Sequence, residues 1–214
     1  MPRPTPRNRE PAKTIHRPQP SLFHYESWRF DRKRNPSGTE FGLRSIRLGT
    51  RLDNSGKSHA TRVEENELRD AYDSVATWFG VFDGDDLIAC YRACGRLHGY
   101  LELEHYHPVP DFIEQSDAAI EGTRLAVRKE YRSSPAVLAL ARFEFGQLLE
   151  RGCEFFFTTG SFPRPGALYA RKFGLMQYGE PFRYDAQDPN QVFLFFANRD
   201  RLKKAVERLT GILG

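Results

Sequence analysis

Residues 120–159 read IEGTRLAVRKEYRSSPAVLALARFEFGQLLERGCEFFFTT, and their pattern decides the fold. Ile120 to Val127 reads as a strand, and the charged, Ser-containing segment 128–134 as a turn. Ser134 is a suitable N-cap, and Pro135 stands where a first helical residue tolerates proline. The helix predicted from there runs to about Arg151, with Val137, Leu138, Ala141, Phe145, Leu148 and Leu149 on one stripe. Gly152 ends it. Cys153 to Thr159 is a continuous apolar run bounded by glycine, the pattern of a strand buried on both faces. Strand, helix and buried strand in succession predict a βαβ-type unit with parallel pairing.

Upstream of this unit, Trp78 to Phe82 and Leu87 to Cys94 predict a hairpin across the turn at residues 83–86. A long connection follows, with Pro108 and Pro110 at its centre. Residues 38–52 are ambiguous between helix and strand, 53–62 read as a polar turn, and Val63 to Val75 as a short helix or ordered loop. Downstream come a short helix from about Pro165 to Phe173, strands near Tyr178–Tyr184 and Gln191–Ala197, and a last helix from Arg199 to Leu209. The fold class is therefore α/β: a mixed, mostly antiparallel sheet with one parallel pair and helices on its faces.

The chain has 214 residues, with 39% hydrophobic and 28% charged. That is enough for one sizeable core. No run approaches the length of apolar residues that a membrane span needs, and no signal-peptide pattern is seen. Cys90, Cys94 and Cys153 are an odd, sparse set, which argues against a disulfide framework and for a reducing, cytoplasmic setting. The formal net charge of +4 is unevenly placed: residues 1–36 carry nine Lys or Arg against three Asp or Glu. The first 20 residues hold six prolines. Residues 1–36 are thus expected to be a basic arm, disordered or loosely docked, ahead of a single domain over 37–214. The arm suits an acidic partner or serves as a solubilising tail; nucleic acid is not the expected partner.

Several chemistries lack their motifs. There is no Walker A loop, no GxGxxG and no GxSxG elbow. Cys90 and Cys94 lack a second pair, and His105 and His107 lack an obvious third ligand, so no metal site is expected. The strand-turn-helix at 120–151 is more specific. A helix N-terminus offers unpaired N–H donors to phosphate, and Arg128, Lys129 and Arg132 add charge there. If the strand at 153–159 splays from its neighbour, the slot between them suits an acyl thioester on a phosphopantetheine arm. An ordinary βαβ crossover needs none of this.

The stretch from residue 120 to Tyr184 resembles the GNAT acyltransferase superfamily. Arg132, Ser133 and Ser134 stand in the place of its pyrophosphate loop, with Pro135 and Val137 where that loop has glycines. Those two replacements set a carrier-protein thioester ahead of coenzyme A as donor. Tyr169, in the late helix before Gly174, sits near where a thiolate-protonating tyrosine can lie. A narrower resemblance is carried by Asp70 and Asp73, then Arg92, then Glu121 and Arg124, in that order, with Leu43-Arg44 as a loose early match. This is similar to acyl-homoserine-lactone synthases and the related N-acyl amino acid synthases.

The resemblance implies a GNAT-like fold and an N-acyltransferase that uses an acyl carrier protein thioester, with no permanently bound cofactor. Glu121 is the expected proton acceptor from the amine, with Arg124 and Tyr169 beside it, and backbone N–H groups over Leu125, Ala126 and Val127 would stabilise the thioester oxygen. Arg128, Arg132, Ser133 and Ser134 would hold the phosphopantetheine. Asp70, Asp73, Arg92 and Arg44 would hold the amine or order the N-terminal loops; these charges equally suit a structural ion-pair network. Phe143, Phe155, Phe157 and Phe195 would line an acyl-chain pocket, or simply form core. The expected product is an N-acyl amino acid, ahead of an acyl lactone; acetyl transfer from acetyl-CoA and non-enzymatic acyl-chain binding are the alternatives.

Overall fold

The computed structural model describes residues 23–29, 40–46, 62–64, 67–84, 86–161, 164–184 and 190–214, with backbone alone before residue 70. An eight-stranded sheet runs β1-β2-β5-β6-β7-β8-β10-β9. Its strands are β1 (Phe23–Arg29), β2 (Glu40–Ile46), β5 (Ala76–Asp83), β6 (Asp86–Cys94), β7 (Ala119–Val127), β8 (Phe155–Ser161), β9 (Met176–Phe182) and β10 (Val192–Asn198). A separate two-stranded ribbon joins β3 (Arg62–Glu64) to β4 (Glu67–Arg69). Every pairing is antiparallel except β7 with β8.

Four expectations change. Phe23–Arg29, assigned above to the arm, pairs along β2 as an edge strand; Phe23 and Tyr25 alternate with polar residues over its first half, and Trp28 falls in the other phase. The remainder of the arm lies outside the described residues, as does the predicted turn over 53–62 except for Arg62, which begins β3. Residues 63–75 form the β3–β4 ribbon and a 3-10 turn over Ala71–Ser74 rather than a helix. The ambiguous stretch 38–52 contains a strand. Ser134 stands one place before the N-cap, which is Pro135; its Oγ still accepts from the Ala136 N–H at 3.2 Å.

Helix α1 (Asp111–Glu114) is a single turn in the long connection, and α3 (Arg164–Ala167) runs into a π-helical segment over Leu168–Phe173. Helices α2 (Ala136–Glu150) and α4 (Arg199–Leu213) cover one face of the sheet. Gly152, at φ +84°, ends α2 in a Schellman motif, with the Cys153 N–H donating to Leu148 O at 2.9 Å. The opposite face is covered by the 95–118 connection, where Leu101, Leu103, Val109 and Ile113 pack on β8. Adjacent Phe156 and Phe157 enter the two different cores, which is why β8 reads as an unbroken apolar run.

The parallel pair parts. β7 and β8 are in register from Ala119 opposite Phe155 to Gly122 opposite Thr158, and no further, although both strands continue. A bulge accompanies the parting: Cys90 faces Ala126 while Arg92 faces Thr123, so Arg124 and Leu125 together oppose Tyr91. Arg124 takes up the extra residue at φ +56°. Such a bulge bends its strand and frees its edge.

Candidate active site

The parted strands open a cleft of about 460 Å³. Gly122, Thr123, Arg124 and Leu125 of β7 form one wall, and Thr158 to Ser161 of β8 the other. Tyr169 closes it from the π-helical segment, and Glu102, Tyr106 and Tyr184 from the loops.

Glu121 lies at the start of this cleft and is 2% exposed. It points away from α2, and the Leu103 N–H donates to its Oε2 at 3.0 Å. Burial pushes its pKa from the ordinary 4.5 up to about 8; the nearby Glu102 charge adds to this, while the Leu103 and Glu102 N–H groups and Arg92 oppose it. A carboxyl poised there can take a proton near neutral pH.

The bulge beside it is held by charge. Arg92 is completely buried and donates to Asp70 Oδ1 and Asp73 Oδ1, both at 2.8 Å, to Glu102 Oε2, and through Nε to Thr123 Oγ1 at 2.9 Å. Its guanidinium also lies 5.8 Å from the Trp78 ring centre. Arg124 Nη2 donates to Asp70 Oδ2. Asp70 and Asp73 meanwhile cap the 3-10 turn reciprocally, through Tyr72 N–H to Asp70 at 2.9 Å and Asp70 N–H to Asp73 at 3.1 Å. Burial pushes the Asp70 carboxyl up, but the hydrogen bonds and charges of Arg92 and Arg124 outweigh it and hold it below 3.8. The structure thus brings Asp70, Asp73, Arg92 and Arg124 into one ion-pair network. The Arg44 side chain lies outside the described residues.

On the helix-facing side, Tyr91 donates its hydroxyl to Thr158 Oγ1 at 2.9 Å. Tyr169 is buried, and burial pushes its pKa up against hydrogen bonds from Thr158 and Tyr91. Two glycines make room: a Cβ on Gly122 would lie 2.5 Å from the Tyr91 hydroxyl and from Phe156 Cζ, and one on Gly160 would lie 2.7 Å from the Tyr169 ring.

Of the other expected residues, Leu125 lines the cleft, while exposed Ala126 and half-buried Val127 continue along β7 beyond it. Arg128 is turned to Asp86 at 3.4 Å. Arg132, Ser133 and Ser134 line a second groove of about 450 Å³ at the start of α2, with Leu168 and Lys172 opposite. The π-helical segment is common to both openings, presenting Tyr169 to the cleft and Leu168 and Lys172 to the groove.

The four phenylalanines expected around an acyl chain are elsewhere. Phe143 and Phe195 are buried in the helix-side core and Phe157 in the opposite core, while Phe155 packs on Phe112 with ring centres 5.3 Å apart. None lines the cleft, because aromatic residues in buried strands are drawn into the two cores first. His105 and His107 also separate: His105 Nε2 meets the Tyr72 hydroxyl at 2.7 Å, and His107 stacks on Phe182 at 3.8 Å. Sequence reasoning missed Glu102, Tyr106, Thr158 and Tyr184 as cleft residues. The only signal for Glu102 was its place among the acidic and histidine residues at 102–107.

The acetyltransferase (GNAT) domain family matches residues 45–142. Among solved structures, MesI, a CoA-dependent acyl-homoserine lactone synthase, superposes with a TM-score of 0.54 at 17% identity, over 73% of this chain and 78% of its own. BjaI, another CoA-dependent acyl-homoserine lactone synthase, gives 0.52 at 14% identity over 70% and 72% of the two chains. FeeM, an N-acyl amino acid synthase from uncultured soil microbes, gives 0.50 at 14% identity over 64% and 75%. At these identities the likeness is one of fold. No curated protein sequence matches the chain. The domain match over residues 45–142 agrees with the parted parallel pair and the cleft it opens, and the chain has a GNAT-type fold.

Proposed function

We propose that this chain is an N-acyltransferase that moves a fatty acyl group from a thioester, carried on a phosphopantetheine arm, to the amine of an amino acid or related small amine. The product is an N-acyl amino acid. The observation that carries this reading is the position of Glu121: a nearly buried carboxyl, pushed up to about 8, at the mouth of a cleft between parted strands.

Amide formation needs a neutral amine. Glu121 takes the proton that the amine must lose, directly or through water. The lone pair then attacks the thioester carbonyl, and charge develops on its oxygen. Backbone N–H groups of β7 beyond Gly122, unpaired with β8, are the donors nearest to it. The carbon–sulfur bond breaks, and Tyr169 on the facing wall gives its proton to the thiolate. The Asp70–Arg92–Arg124 network keeps Arg124 in its left-handed conformation, and so keeps the bulge that aims those N–H groups.

The phosphopantetheine runs toward the groove of Arg132, Ser133, Ser134 and Lys172. An acyl carrier protein is the proposed donor, since Pro135 and Val137 replace the glycines of a coenzyme A pyrophosphate loop and the N-terminal 36 residues are strongly basic. Coenzyme A is the second reading, favoured by the CoA-dependent neighbours MesI and BjaI. Thiol release from acyl-CoA and from acyl carrier protein, with the twenty L-amino acids supplied singly, separates the two. Faster release from the carrier protein, falling steeply with salt, supports the first; release from acyl-CoA alone supports the second. Release from neither removes the acyl-transfer reading.

A further inference from the structure

Glu102 is used only in part by the fold. Its Oε2 accepts from Arg92, while its Oε1 accepts no hydrogen bond from the described residues. The side chain is 23% exposed and lines the cleft. Its backbone N–H supports the Glu121 carboxyl, so the two acids are neighbours. Tyr106 and Tyr184 line the same end, their rings edge to face with centres 5.3 Å apart, and the Tyr184 hydroxyl is fixed on Thr159 Oγ1. Arg124 is the sole cation among the described residues lining this cleft, and Asp70 already pairs with it. A carboxylate with one oxygen held by Arg92 and the other open to the cleft, beside two aromatic rings, fits an ammonium group.

We propose that the acceptor amine enters as its cation, and that Glu102 is the residue that receives it, with Tyr106 and Tyr184 flanking the ammonium. This rests on the acyl-transfer reading above and adds the charge state and docking point of the acceptor. Protons and bonds balance. The docked ammonium gives one proton to Glu121, which passes it to solvent. The freed amine forms the C–N bond as the C–S bond breaks. The second proton lost by nitrogen ends on the thiol sulfur by way of Tyr169. One ammonium and one thioester become one amide, one thiol and one proton.

The test compares two acceptors for one acyl thioester: the L-amino acids, which are ammonium ions at neutral pH, and hydroxylamine, which is uncharged there. Glu102→Gln keeps a carbonyl oxygen for Arg92, so the fold is preserved, and an unchanged melting temperature checks this. The variant should raise KM for the amino acid about 10- to 100-fold, the worth of a hydrogen bond to a charged group, and leave KM for hydroxylamine unchanged, while the loss of the Glu102 charge beside Glu121 moves kcat with both acceptors alike. Tyr106→Leu should show the same selectivity in smaller degree. Equal rises in KM with both acceptors would make Glu102 a purely structural residue and overturn the proposal, as would no change in KM with either. Wild-type protein forming neither amide nor hydroxamate would instead overturn the acyl-transfer reading on which it rests.

Discussion

The completely buried guanidinium of Arg92 donates to the Asp73 carboxylate at 2.8 Å, linking β6 at the centre of the sheet to the 3-10 turn that leads into β5. Asp70 shares the same nitrogen and passes the link on to Arg124. Replacing Arg92 by Met would leave buried carboxylates uncompensated, so it should cost about 3–5 kcal/mol in denaturant unfolding. Arg92→Lys should also be damaging, because an ammonium cannot reproduce the planar fork that meets Asp70, Asp73, Glu102 and Thr123 together.

Glu121 should set the pH dependence of the reaction. As a proton acceptor pushed up to about 8 by burial, it is competent only when ionised, so kcat/KM should rise with pH and level off above that value. Glu121→Gln should abolish the limb and lower the rate about 100- to 10,000-fold. The stability effect has the opposite slope. The folded chain keeps a proton that the unfolded chain has released, so this carboxyl's contribution to stability falls as pH rises from 4.5 to about 8. Rate profiles and melting curves over this range check both signs.

Gly122 should not tolerate a methyl group. A Cβ there would stand 2.5 Å from both the Tyr91 hydroxyl and Phe156 Cζ, at the last paired residue before the strands part. Gly122→Ala is therefore expected to destabilise by about 1–3 kcal/mol. It should also break the Tyr91–Thr158 hydrogen bond, and a Gly122→Ala, Tyr91→Phe double variant, which removes the clashing hydroxyl, should recover part of the lost stability.

Glu144 is a second buried carboxyl, on α2, and neither of its oxygens has a hydrogen-bond partner among the described residues. Burial alone drives its pKa well above 4.5, which favours the neutral acid in the core. The folded state again holds the proton, and stability falls as pH rises above 4.5. Glu144→Met should raise the melting temperature and flatten its decline with pH, with a gain of about 1–3 kcal/mol. An unchanged slope in thermal melts would contradict this.

Much of the architecture was legible because it follows from periodicity. The apolar run after Gly152 could only be a strand buried twice over, and Phe156 and Phe157 do enter separate cores. The order Asp70, Asp73, Arg92, Arg124 was legible as a set only through its resemblance to the acyl-homoserine-lactone and N-acyl amino acid synthases; that such charges, once buried, pair with one another then follows. The acyl-chain pocket was not, because Phe143, Phe157 and Phe195 look alike whether they line a cavity or fill a core. Glu102 was missed for a different reason. Its position depends on how the 95–118 connection folds back over the sheet, and that is fixed by Arg96. This side chain reaches Ile113 O at 2.9 Å, Glu114 O at 2.7 Å and the Glu104 carboxylate, contacts that no local pattern announces. Phe23–Arg29 was hidden by its neighbours, since a short alternating strand between basic, proline-rich segments carries little weight in composition.

The central claim is that the cleft at the parted strands makes N-acyl amides with Glu121 as proton acceptor. Mass spectrometry of small molecules extracted from cells making the wild-type chain, against cells making Glu121→Ala, tests it most directly. N-acylated amino acids present with the wild type and absent with the variant are the predicted result, and they would identify acyl chain and acceptor together. The same N-acyl products at equal yield from both chains, or no acylated species from either, would contradict it.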